Sequence, residues 1–180
     1  MSFEDKDNFR KLSLNKLKFY SNIAKIKKDK TISLKIYELI KIYKPKKILL
    51  YIPLDIEVDL RVLINKLRKQ KNIEVYVPYM KDKSFVPVKY RLPLYKKRFG
   101  IKEPNFSRFR KTDKLDMVVV PIIGIDPTYR RIGFGAGMYD RFFETLKNKP
   151  ICVFTQLKLC KSDKIITSDY DIKPDYIITM

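Results

Sequence analysis

"KKILLYIPLDIEVDLRVLINKLRKQKNIEVYVP" occupies residues 46–78 and decides the fold. "KKILLYIP" (46–53) is a short apolar run stopped by proline, which reads as a buried strand. "EVDLRVLINKLRKQ" (57–70) turns to helical spacing through Leu60, Leu63, Ile64 and Leu67. "IEVYVP" (73–78) is a second strand. Strand, helix and strand within about 30 residues imply parallel pairing, because parallel neighbours need a crossover between them.

The same logic extends both ways. Residues 5–43 read as helix, with Phe9, Leu12, Leu14, Leu17, Tyr20 and Ile23 recurring near every 3.6 positions. A break is expected around Lys28 to Thr31, where Thr31 can cap a second helix running through Tyr43. Downstream, "SFVPVKY" (84–90) is a further strand, and residues 91–114 form a long loop with little periodicity. Strands follow at "LDMVVVPIIGI" (115–125), "PICVFTQL" (150–157) and "PDYIIT" (174–179), with a helix at "MYDRFFETLKN" (138–148). The expected fold class is α/β. It is a single domain over residues 1–180, with a mostly parallel sheet flanked by helices in a Rossmann-like three-layer architecture.

Composition narrows the chemistry. The chain has 180 residues, 45% of them hydrophobic, enough for a core. Its net charge is +20, from 40 basic and 20 acidic residues. Such a charge suits an anionic partner. However, 30 of the 40 basic residues are Lys, spread along the whole chain as on a solvated surface. Histidine is absent, which excludes a Ser-His-Asp triad, a His-ligated zinc and a His general base. The two cysteines, Cys152 and Cys160, lie in apolar surroundings and read as small core residues. The first residues carry acids and no apolar stretch of the signal-peptide kind, and no apolar run approaches the roughly 20 residues of a membrane span. A cytoplasmic protein is expected.

"RRIGFGAGMYDR" (130–141) holds three of the five glycines, between a strand and a helix. Glycine permits positive φ and lets a ligand approach the backbone, and the helix start offers free N–H groups to a phosphate. Arg130 and Arg131 add charge-assisted donors. Asp140, in the first helical turn, suits either a Mg²⁺ ion or the helix dipole. The spacing matches neither a Walker A loop nor a dinucleotide fingerprint, and glycine loops also serve as plain turns.

Taken with other segments, the stretch resembles the signature of the 5-formyltetrahydrofolate cyclo-ligase (methenyltetrahydrofolate synthetase) family. In that family's order come "KDNFR" (6–10), "YIPLDIEVDL" (51–60), "FGIKEP" (99–104), "DMVVVPIIGID" (116–126), the glycine stretch and "KPDYIIT" (173–179). The resemblance implies ATP-dependent conversion of 5-formyltetrahydrofolate, with or without a polyglutamate tail, to 5,10-methenyltetrahydrofolate. It further implies an ATP site at Lys6, Asp7, Asn8, Phe9 and Arg10, and at Arg131, Ile132, Gly133, Phe134, Gly135, Ala136, Gly137, Met138 and Tyr139. By the same resemblance Lys6, Arg10 and Arg131 would be the catalytic cations. Folate contacts fall on Ile52, Glu57, Phe134, Gly135, Ala136, Gly137 and Met138, and Mg²⁺ on Asp140 and Asp175. Glu103 and Pro104 shape the long loop. A monomer is expected, with no nucleic-acid or membrane partner.

Plainer readings accompany these. Lys6 and Arg10, four apart, share a helix face and by themselves read as surface. Glu57 alone reads as an acid opening a helix, Asp140 as a helix-start acid and Asp175 as a loop residue. Met138 stands where the family has a Tyr, and Tyr129 where it often has Gly, which suggests a different turn. Two other classes remain open: a basic nucleic-acid-binding protein, for which no motif appears, and a sugar-phosphate or CoA-type enzyme using Glu57. Whether Lys6 and Arg10 lie beside the glycine loop discriminates among them.

Overall fold

The computed structural model describes residues 3–97, 102–105 and 111–180. Two long helices open the chain, α1 (Phe3–Ser21) and α2 (Lys25–Tyr43). Then come β1 (Lys47–Leu49), α3 (Arg61–Leu67), β2 (Glu74–Lys81) and β3 (Ser84–Lys89). Two short strands, β4 (Leu94–Lys96) and β5 (Lys102–Pro104), precede β6 (Met117–Pro121). A small hairpin of β7 (Gly124–Ile125) and β8 (Arg131–Ile132) leads into α4 (Met138–Glu144), β9 (Ile151–Thr155) and β10 (Tyr176–Ile178).

The main sheet has the order β10-β9-β6-β1-β2-β3. Five strands run parallel, and β3 closes one edge as the antiparallel arm of a hairpin with β2. β1 pairs β2 in the register Ile48↔Val75 and Leu49↔Tyr76, with α3 as the crossover that 46–78 requires. Alternation along the strands sorts side chains between two cores. Ile48, Leu50, Val75, Val77 and Val119 pack with Leu17 of α1, Ile32, Ile36 and Ile40 of α2, and Leu63 and Ile64 of α3. Leu49, Tyr76, Val118, Val120 and Phe154 pack on the opposite face with Tyr139 and Phe142 of α4. The result is three layers, as the sequence implies.

Several boundaries differ from the sequence reading. The helical break lies at 22–24, where Ala24 takes a left-handed φ of 47°. Thr31 sits inside α2, its hydroxyl donating to the Lys27 carbonyl at 3.0 Å, so it caps nothing. The Ile32, Ile36, Ile40 stripe, buried against the sheet, fixes α2 through this point. α3 starts at Arg61 rather than residue 57, because residues 54–57 close a turn of their own; α4 ends at Glu144. Residues 91–114 are not structureless, since β4 and β5 pair there. Phe99, Gly100 and Ile101 of "FGIKEP" lie outside the described residues. Glu103 is buried and accepts the Met80 amide at 3.1 Å, a structural duty on the β2–β3 hairpin.

Candidate active site

From β1 the chain moves outward to β2 and β3, then returns to β6 on β1's other side. The crevice beyond the carboxyl ends of β1 and β6 is therefore the point where strand order reverses, the usual ligand position in an open α/β sheet. A cavity lies there, with about 720 Å³ of space free of protein atoms, mouth included. Tyr51 and Ile52 leave β1 into its wall, Pro121 ends β6 at its base, and Pro78, Met80 and Phe85 of the β2–β3 hairpin form another side. Phe134, Ala136, Gly137 and Met138 face it from the glycine loop.

Glu57 reaches the cavity from a tight turn. Its amide donates to the Leu54 carbonyl at 3.0 Å, and its Oε2 accepts the Leu54 amide at 2.8 Å. This is not the helix-opening position that the sequence suggests; Asp59 takes that place, its Oδ1 accepting the Arg61 amide at 2.9 Å. Burial pushes the Glu57 carboxyl up to about 7, against the Leu54 hydrogen bond and the charges of Arg131 and Lys25. Two phenols stand near it. Tyr51, paired with the Thr155 hydroxyl at 2.9 Å, and Tyr139 are both held protonated, by burial first and then by the Glu57 charge.

Arg131 lies buried beneath the loop. Its Nε faces the Pro121 carbonyl at 3.4 Å, its Nη1 faces Asp140 Oδ2 at 3.4 Å, and its guanidinium sits 5.0 Å from the Tyr139 ring centre. The loop itself needs left-handed backbone at Gly135 (φ 101°) and Gly137 (φ 58°), which glycine adopts without strain. Gly135 faces α1 rather than the cavity: a side-chain carbon there would lie 3.5 Å from the Arg10 guanidinium. So the loop has two faces, one toward the cavity and one toward α1.

Of the two α1 cations Lys6 and Arg10, Arg10 lies on that second face of the loop. Arg10 Nε donates to the Gly133 carbonyl at 2.9 Å, and its Nη1 pairs with Asp7. Phe9 packs against Gly124 in β7. Asn8 is exposed, and Ile132 is buried in β8. Lys6 reaches Asp171 at 2.8 Å. Asp171 belongs to a segment, residues 168–172, that the sequence reading passed over. Asp169 of this segment pairs with Arg130, while Ile172 accepts the Arg131 amide at 2.9 Å and donates its own to Asp140 Oδ1 at 3.3 Å. Nothing in its short polar run advertises this; the signal available was two further acids, Asp169 and Asp171, in a Lys-rich chain.

The remaining acids divide by surroundings. Asp126 is fully buried, yet hydrogen bonds from Thr128 and Thr167 outweigh that burial and bring its carboxyl down to about 2. It latches the turn before the glycines to residues 166–167. Asp175 accepts the Cys152 amide at 2.8 Å from the start of β10. Both Asp175 and Asp140 add their charges to the burial that raises the Cys152 thiol. Cys152 and Cys160 are free and buried, as expected. Tyr129 holds φ 61°, left-handed backbone of the kind glycine favours.

Among the described residues, no group of three or more His, Cys, Asp or Glu is placed to hold a metal ion, and no helix is long and apolar enough to cross a membrane.

The family model described as the 5-formyltetrahydrofolate cyclo-ligase family matches residues 2–180. The Haemophilus influenzae 5-formyltetrahydrofolate cyclo-ligase is 31% identical over 121 residues, 62% of this chain and 63% of that protein, so the match spans less than two thirds of the relative. The NMR structure of Aquifex aeolicus 5,10-methenyltetrahydrofolate synthetase superposes with a TM-score of 0.77 at 25% identity, covering 97% of this chain and 89% of that one. A Mycoplasma pneumoniae 5,10-methenyltetrahydrofolate synthetase shares the fold, with a TM-score of 0.74 at 23% identity over 97% and 98% of the two chains.

Proposed function

This chain belongs to the 5-formyltetrahydrofolate cyclo-ligase family, and from that premise we propose that it converts 5-formyltetrahydrofolate to 5,10-methenyltetrahydrofolate at the expense of ATP and with Mg²⁺. The observation that carries the reading is the two-faced glycine loop. One face meets Arg10, and the other lines a cavity that also holds Glu57. A nucleotide on the first face and a folate on the second would meet across the loop.

In this reading Glu57, ionised, accepts the paired N–H donors of the pterin, and Ile52, Phe134, Ala136, Gly137 and Met138 pack its rings. The histidine-free site suits the chemistry. The formyl oxygen attacks the γ-phosphorus and ADP leaves. Substrate N10 then attacks the activated formyl carbon and loses its proton to solvent. The carbon–oxygen bond breaks, and inorganic phosphate departs as the methenyl bridge forms. Both nucleophiles belong to the substrate. The protein's part is alignment and charge stabilisation, supplied by Lys6, Arg10, Arg131 and the loop amides. Lys6 must exchange Asp171 for a phosphate oxygen to take part.

Magnesium fits the donors in a limited way. It binds through one or two carboxylates plus phosphate oxygens and water. Asp140 makes only long contacts, at 3.3 and 3.4 Å, which leaves it open to a cation. Asp175 keeps one oxygen on the Cys152 amide and has the other to offer. Asp171 is the alternative to Asp175 once Lys6 turns to phosphate, since Ile172 beside it already bonds Asp140. The ion would neutralise charge on the phosphates. We place the protein in the cytoplasm as a monomer, with folate rather than nucleic acid as its partner.

ADP release tests the reading. It should require 5-formyltetrahydrofolate, stop with a chelator, and match the folate consumed one for one. ADP release at the same rate without folate would overturn it.

A further inference from the structure

The structure assigns Arg141 a positioning role: it clamps the tip of the β2–β3 hairpin to the glycine loop and so fixes the distance between two walls of the cavity. This inference rests on the folate reading of that cavity. Arg141 lies in α4, outside the cavity, and its side chain bridges two elements. Its Nε donates to the Lys83 carbonyl at 2.9 Å, and its Nη2 donates both to that carbonyl and to the carbonyl of Ala136. Lys83 stands in the hairpin turn, next to Asp82 with φ 52°. Ala136 belongs to the loop wall. The guanidinium crosses close over Gly137, where a side-chain carbon would lie 2.9 Å from Nη1. A second tie runs beside the first: the Ser84 hydroxyl donates to the Met138 carbonyl at 3.0 Å.

The consequence follows from the strands. Met80 and Phe85 pair across the hairpin one step from its turn, and both face the cavity opposite Ala136, Gly137 and Met138. Among the described residues β3 is the edge strand of the sheet, paired with β2, with a further bridge between Val88 and Lys111 at the end away from the tip. Its tip is therefore free to splay unless something outside the sheet holds it. Phe85 packs on Tyr139 and Phe142 of α4, and Glu103 accepts the Met80 amide; at the tip itself Arg141 and Ser84 add three charge-assisted hydrogen bonds and one neutral one. A planar fork with several fixed donors suits two carbonyls on different elements at once. The nucleotide face of the loop has its own anchor in Arg10, so loosening the clamp should act on folate more than on ATP.

The test compares Arg141→Ala and Ser84→Ala with the parent chain by amide hydrogen exchange and by steady-state kinetics. Expected for Arg141→Ala are faster exchange over residues 80–86, a KM for 5-formyltetrahydrofolate raised about tenfold, and a KM for ATP changed less than about threefold. Ser84→Ala should move the same quantities the same way by a smaller factor, and so decides the matter if the arginine variant folds poorly. Unchanged exchange at the hairpin tip in both variants, or equal rises in both KM values, would overturn the clamp. If the parent chain does not turn over formylfolate, the proposed function fails, and the exchange comparison still decides whether Arg141 holds the walls together.

Discussion

The Nε of Arg10 donates to the carbonyl oxygen of Gly133 at 2.9 Å, joining the first helix to the glycine loop across 123 residues of chain. Replacing Arg10 with Ala removes both this anchor and a cation for the nucleotide. A charge-assisted hydrogen bond contributes about 1.5–3 kcal/mol, so kcat/KM for ATP should fall by about 10- to 100-fold. Kinetics at saturating folate check this. An unchanged value would remove Arg10 from the ATP site.

Glu57 makes the site sensitive to pH near neutrality. Burial raises its carboxyl from 4.5 to about 7 in the folded chain. Between those values the folded state binds more protons than the unfolded one. The stability that Glu57 contributes is thus full below about 4.5 and is lost as pH rises through about 7. Folate binding through an ionised Glu57 runs the opposite way, so KM for folate should fall as pH rises through about 7. Glu57→Gln should flatten both dependences. A KM profile that stays the same in Glu57→Gln would assign the titration to another group.

Gly124 positions α1 from below. A side-chain carbon at this residue would lie 2.6 Å from the Phe9 ring and 2.7 Å from the Cys160 carbonyl. Gly124→Ala should therefore lift the start of α1, costing about 1–3 kcal/mol as overpacking does. It should also weaken ATP binding, since Lys6 and Arg10 move with Phe9. Thermal unfolding and the KM for ATP report the two effects, and a loss of stability with ATP binding intact would separate Phe9 from the site.

What could be read from the chain followed from how local each signal was. The β1–α3–β2 unit stands out because apolar runs and helical spacing alternate within 33 residues of sequence, and the six strand cores of the main sheet were legible, whereas the short pair β4–β5 and the short strand β8 were not. Arg10 and Glu57 needed the family resemblance: an arginine on a Lys-rich helix and an acid after a strand look ordinary until folding sets them on two sides of one loop. The long-range ties were hidden. Asp171 meets Lys6 across 165 residues, and the Arg141 contacts to Lys83 depend on a hairpin tip with no sequence mark of its own. The end of one helix and start of the next were misjudged for a similar reason: Thr31 has the chemistry of a cap, but three buried isoleucines hold α2 helical through it.

Tyr129 occupies left-handed backbone at φ 61°, with Lys161 Nζ 5.0 Å from its ring centre. A β-branched residue there should cost about 1–2 kcal/mol relative to glycine. Tyr129→Gly should stay within about 1 kcal/mol of the parent, because relief of strain is offset by greater freedom in the unfolded chain and the lost ring contact. Denaturant unfolding of Tyr129→Gly and Tyr129→Val measures the difference. Equal stability of the two variants would mean that the turn relaxes to negative φ.

The account's central claim is that ATP on one face of the glycine loop activates a formylfolate on the other. Near-ultraviolet absorbance of the methenyl product, followed after mixing the protein with 5-formyltetrahydrofolate, Mg²⁺ and ATP, tests it most directly. The account predicts a rise that needs all four components, is abolished by chelating the metal, and drops steeply in Arg10→Ala. No ATP-dependent rise with folded protein would contradict it.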